Sequence, residues 1–247
     1  VLLCVFSILI GHIAYNISGG VSGLREDIGL EIKARSNPKL RTILKNKNQY
    51  PDAMIQSLYR NEELIDFVCN YPSKKGHVYT NTIGPVTKGR YPLLLQYDQR
   101  WGYGRYGNNV IGMNGCGPTS AAMIIAGLTG RNNITPYDVA SYAYNHGYYQ
   151  DGTSWSFFTE GMKHYDIHGR NIPLSYSSMK NEIMNGRPLI CSMKPGDFTT
   201  TGHLIVIKGM KQGMFMVNDP NSIKRSNRLW SYDTLSKQIR NIWSFSR

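Results

Sequence analysis

The chain has 247 residues, 41% of them hydrophobic and 11% aromatic, with 28 Lys+Arg against 16 Asp+Glu for a net charge of +12. That length and apolar content can build a core, which excludes disorder, while four Cys without a CxxC pair exclude a disulfide scaffold and a cysteine zinc site. The basic excess is spread, +5 over residues 1–90 (12 − 7) and +7 over 91–247 (16 − 9), without the patch or stripe expected of a nucleic-acid binder, and it suits a polyanionic surface such as a bacterial envelope about as well as DNA.

Residues 1–17 open with the apolar run VLLCVFSILI and read as a signal peptide remnant or a membrane anchor, which would put the body outside the cytoplasmic membrane. Residues 18–48, polar and rich in Gly and Lys, read as a linker with at most one short helix. A helical prelude and connector over 49–90 follows. Pro51 and Asp52 start one helix with Met54, Ile55 and Leu58 on one face, and Asn61 starts another that Tyr71-Pro72 should end.

Residues 91–247 form the main domain. Helices are predicted over Cys116–Leu128, closed by Gly130, and from Pro136, from Ser154 and over Ser177–Asn185. Strands are predicted over Pro188–Met193, Gly202–Lys208 and Met214–Asn218, with a last helix over Tyr232–Ile239. Helices first and an antiparallel sheet last make the fold class α+β. Gly102, Gly104 and Gly107 spell GxGxxG, but no strand precedes them and no helix opens on them, so the stretch is a Gly/Tyr-rich loop and no cofactor is expected.

The chemistry concentrates at Asn114-Gly115-Cys116-Gly117-Pro118-Thr119. Flanking glycines clear space for a substrate backbone, and Pro118 suits the first turn of the helix that follows. A Cys at a helix N-terminus meets free N–H groups that favour a thiolate and can hold an oxyanion. Cys4 lies in the apolar run, and Cys69 and Cys191 read as packing residues. A nucleophilic Cys needs a base, and among six His residues His203 is the candidate, opening an apolar strand beside Gly202. Residues paired in an antiparallel hairpin have a constant sum, here about 422 to 424 for a turn within 210–213. His203 and Asp219 sum to 422, so Asp219 can orient the imidazole. Asn218 competes for that place, since neighbours on a strand face opposite ways.

These blocks, Gly-Cys-Gly-Pro-Thr at 115–119, Gly-His at 202–203 and Asn-Asp-Pro at 218–220, resemble the Cys, His and Asp blocks of papain-like peptidases. They are most similar to the family-39-like group, relatives of the bacteriocin leader-processing peptidases. The stretches LQYDQRW at 95–101, PGDFTTTGH ending at His203, and NEELIDFVCNYP of the prelude resemble that group too. The resemblance implies a papain-like fold, with a helical part carrying the nucleophile packed on an antiparallel sheet carrying His and Asp. It implies Cys116 as nucleophile, His203 as general base, Asp219 as orienter and Gln96 as side-chain donor to the oxyanion hole. One departure is visible: leader-processing peptidases place that Gln a few residues before the Cys, where this chain has Asn108, Asn109 and Val110.

The expected function is therefore an extracytoplasmic cysteine peptidase or amide hydrolase that works through a thioester. A thiol acyltransferase or transpeptidase with the same triad, or a non-catalytic envelope-binding module, are the alternatives. Expected partners are a peptide or cell-envelope amide substrate and a membrane through the N-terminal segment, without nucleic acid, for a monomer that needs no metal. Trp101, Tyr103, Tyr106 and Trp155 could line the cleft or pack in the core.

Overall fold

A computed structural model describes residues 28–247. The expected anchor, the first part of the expected linker, Cys4 and His12 lie outside them. The described residues divide into two compact units, one ending at Pro72 and the other running from Ser73 to Arg247.

The first unit is helical throughout: α1 (residues 28–34), α2 (Pro38–Lys45), α3 (Asp52–Arg60) and α4 (Ile65–Lys74). The linker expectation for 18–48 is thus corrected from residue 28 onward. Asn37 caps α2 by accepting from the Leu40 N–H, Pro38 supplies its first turn, and Leu30, Ala34, Leu40 and Ile43 are buried. Those four apolar residues, two on each short helix, are easily hidden by the surrounding Lys and Asn. α3 buries Met54, Ile55 and Leu58 as the spacing predicts. α4 does not stop at Tyr71 but passes through Pro72. A proline in the last turn forfeits one N–H yet already has a helical φ.

In the second unit a hairpin of β1 (Arg105–Tyr106) and β2 (Asn109–Val110) leads into the short α5 (Ile111–Asn114) and the long α6 (Cys116–Thr129). α6 is buried continuously from Gly117 to Gly127, which explains why its sequence shows no amphipathic stripe. Gly130, left-handed at φ 78°, ends it. α7 (Pro136–Asn145) starts on a capping box between Thr135 and Asp138. The helix expected from Ser154 is only one α turn, α8 (Ser156–Thr159), followed by a 3-10 turn over Gly161–Tyr165.

Then come β3 (His168–Asn171), α9 (Tyr176–Met184), β4 (Leu189–Met193), β5 (His203–Lys211) and β6 (Met214–Asn218). The chain finishes with α10 (Ile223–Ser226), β7 (Leu229–Trp230), α11 (Tyr232–Ser236) and β8 (Ile239–Ser246). One antiparallel sheet has the order β3-β8-β4-β5-β6-β7. The single helix expected over Tyr232–Ile239 is corrected: α11 stops at Ser236, and Ile239 opens a strand that lies between β3 and β4.

Both faces of the sheet are covered. Ile190, Leu204, Val206, Trp243 and Phe245 pack with α6 and α7 in one core. Leu189, Cys191, Ile205, Ile207, Val217 and Ile242 pack with Met179 of α9 and Leu235 of α11 in the other. The result is α+β, with the Cys-bearing helix laid on the sheet that ends in His203.

Candidate active site

Cys116 is the first residue of α6 and is partly exposed at the floor of a cleft of about 540 Å³. The glycines beside it have a reason other than substrate clearance. A Cβ on Gly117 would lie 2.1 Å from Thr153 Oγ1, and one on Gly115 would lie 2.5 Å from the Ile111 carbonyl oxygen. They let the 149–153 loop and α5 close on the start of α6. Of the other described cysteines, Cys191 is buried in β4, where burial pushes its thiol up, and Cys69 lies in the first unit.

His203 opens β5 across the cleft, and its Nε2 donates to Asp219 Oδ1 at 2.7 Å. That leaves Nδ1 for the Cys116 side chain, which lies within hydrogen-bonding reach of the ring. Burial by itself drives the imidazole toward neutrality. The charge and hydrogen bond of Asp219, aided by Cys116, outweigh it and raise His203 from the usual 6.5 to about 10. At neutral pH the ring is an imidazolium beside a sulfur.

Asp219 is fully buried and accepts three donors: His203 Nε2, the Asn221 N–H at 2.7 Å and Arg225 Nε. Burial would raise this carboxyl, but His203 and Arg225 hold it below the ordinary carboxylate range. Arg225 was not legible as part of the site. It sits in the first turn of α10, where Ser222 caps the helix by accepting from the Arg225 N–H, and the one available signal was the Ser-x-x-Arg spacing right after Asp219-Pro220.

The choice between Asp219 and Asn218 is made by a β-bulge. Next to the turn at Gln212-Gly213 the β5–β6 pairs sum to 425 (Lys211 with Met214), but past Lys208 they sum to 424 (Val206 with Asn218). Lys208 is the extra residue. The register of 424, continued, sets Asp219 opposite Ile205, on the same face as His203 and one diagonal away. An unbroken register of 425 would have put Asn218 on that face. Asn218 instead donates to the Tyr91 and Pro92 carbonyls at 3.2 and 2.9 Å and is fully buried.

Gln96 is buried and is not among the residues that line the cleft. Its Nε2 donates to the Gly112 carbonyl at 2.9 Å and, more weakly, to the Met113 carbonyl at 3.4 Å. Its backbone N–H donates to the Pro220 carbonyl at 2.7 Å. The structure thus brings Cys116, His203 and Asp219 together and places Gln96 behind the Cys-bearing loop.

Of the four aromatics considered for the cleft, Trp155 lines it and stands edge-on to the buried Trp243, while Trp101, Tyr103 and Tyr106 are core. Asp151, Ser192 and Arg240 also line the cleft, none of them foreseen. Among the described residues no group of three or more His, Cys, Asp or Glu side chains is placed to hold a metal ion.

A family model described as the Peptidase_C39 like family matches residues 89–246. Comparison with curated proteins finds no match. Several solved structures are similar, two of them as follows. The peptidase domain of Streptococcus ComA, titled a bi-functional ABC transporter involved in a quorum sensing pathway, is 18% identical with a TM-score of 0.43, over 63% of this chain and 96% of that one. A C39-like peptidase from Bacillus anthracis is 15% identical with a TM-score of 0.43, over 66% and 98%. The fold is α+β, and from Gly89 to Ser246 the sequence follows one family's pattern; the chain belongs to the Peptidase_C39-like family.

Proposed function

We propose that this protein is an extracytoplasmic cysteine peptidase that cleaves a peptide or a cell-envelope amide through a Cys116 thioester. The observation that carries the reading is the shared cleft: Cys116 at the start of a buried helix faces His203, whose far nitrogen is tied to the buried Asp219 at 2.7 Å. The Cys116 thiolate adds to the substrate carbonyl carbon, and the oxygen takes up the negative charge against N–H groups at the start of α6. Collapse breaks the C–N bond as His203 hands its proton to the leaving nitrogen. Water then adds to the thioester while His203 takes its proton, and the carboxylate product leaves with the thiolate restored. Asp219, by accepting from Nε2, holds the ring in the orientation that presents Nδ1 to the sulfur.

Two features support action at the envelope: the apolar run at residues 1–10 and the diffuse charge of +12. The test is incubation of wild type and Cys116→Ala with a peptide library and with envelope material, reading new N-termini by mass spectrometry. New termini are expected with wild type alone. Termini equally produced by Cys116→Ala, or none from wild type, would contradict the proposal.

A further inference from the structure

Part of the cleft is built across three strands of the sheet. Leu204 of β5, Ser192 of β4 and Asn241 of β8 stand side by side, and the first two line the cleft together with His203. Arg240 lines it from β8, and a β-bulge puts it there. Ser192 pairs with Asn241 but Met193 pairs with Ile239, so Arg240 is the extra residue. Strict alternation would turn Arg240 to the same side as Ile242, into the core closed by α9 and α11. The bulge gives that place to Ile239 and leaves Arg240 exposed on the cleft.

The guanidinium has no counter-charge of its own. Arg225 is held by Asp219, and Arg170 and Arg187 by Glu182, but among the described residues no hydrogen bond or ion pair holds the Arg240 side chain. Asp151 also lines the cleft, on the 149–153 loop rather than on the sheet, and the two do not pair. A planar fork of donors left open in a substrate cleft matches a carboxylate. β8 lies two strand spacings from β5, about 10 Å, which an extended chain covers in about three residues.

We propose that Arg240 is a specificity-determining residue that selects substrates carrying an acidic side chain about three residues from the scissile bond. This rests on the peptidase reading of the cleft and adds to it a chemical class of substrate. The guanidinium sits at a fixed point of the cleft, so it acts at one position of the bound peptide. The diffuse charge of +12 does not, because it favours acidic peptides wherever the acid stands.

The experiment is cleavage of a random peptide library by the full chain, wild type against Cys116→Ala and Arg240→Gln, with cut products aligned on the cut bond by mass spectrometry. Cuts that depend on Cys116 should be enriched in Asp and Glu at one position, about three residues from the bond. For matched peptides with Glu or Gln at that position, the ratio of kcat/KM should be about tenfold in wild type and about one in Arg240→Gln. Arg240→Lys, a charge without the fork, should keep part of the ratio. Acidic enrichment spread evenly over all positions, no enrichment at any, or enrichment of Lys and Arg opposite Asp151 in its place would overturn the proposal, and wild type alone decides each of these. A Glu-to-Gln ratio that survives Arg240→Gln would overturn it too. Wild type that makes no Cys116-dependent cut would instead overturn the peptidase reading, and the specificity with it.

Discussion

Asp219 collects three donors on one buried carboxylate, two of them cationic, and this makes the imidazolium form of His203 part of the folded state. The sign of the pH dependence follows. His203 is raised from 6.5 to about 10, so its contribution to stability is complete below about pH 6.5 and is lost as pH climbs toward 10. Asp219 is lowered, so its contribution holds above the ordinary carboxylate range and is lost only when pH falls through its depressed value. Thermal unfolding of wild type and His203→Gln should therefore differ most near pH 6 and converge toward pH 10. A gap that stays constant across that range would contradict the ion pair. At this scale the sequence was informative about residue type but silent on direction. Cys116 and His203 stand out by their glycine neighbours, whereas Asp219 and Asn218 are equal until the bulge at Lys208 sets which one faces the ring.

Elements fail or succeed in the reading for physical reasons of their own. α6 was legible because Gly-x-Gly-Pro starts it and Gly130 ends it. β8 was not, because a strand covered on both faces loses its alternation, and its Arg240, Asn241 and Ser244 break up the apolar run. The anchor of α9 was equally hidden. Glu182 accepts from Arg187 at 2.6 Å, Arg170 at 2.7 Å of β3 and Ser244 at 2.5 Å of β8, and these donors, Arg187 foremost, hold it down at about 2 despite burial. It ties α9 to the sheet edge opposite β7. Glu182→Gln leaves two partly exposed arginines without their charge partner and weakens the bond from Ser244, and it should measurably lower the midpoint of denaturant unfolding with the rate of Cys116 alkylation unchanged. An unchanged midpoint would show the cluster to be a solvated surface pair.

At the scale of the molecule, the sheet separates two jobs. One face supports α6 and the cleft, the other is closed by α9 and α11, and the site sits where α6 and β5 both begin. Among the described residues no helix is long and apolar enough to cross a membrane, and the apolar run at residues 1–10 lies outside them. The order of predicted helices and strands indicated the α+β class, but composition could not distinguish a linker from the helices at 28–45, where Leu40 and Ile43 are fully buried. The central proposal is that Cys116 is the nucleophile and His203 its base. Its most direct test is the iodoacetamide alkylation rate of each cysteine at pH 6, read by peptide mass mapping, in wild type and His203→Gln. Cys116 should react at least about tenfold faster than Cys69 in wild type and lose that advantage in the variant. Equal rates for the two cysteines in wild type, or an advantage that survives the loss of His203, would contradict the account.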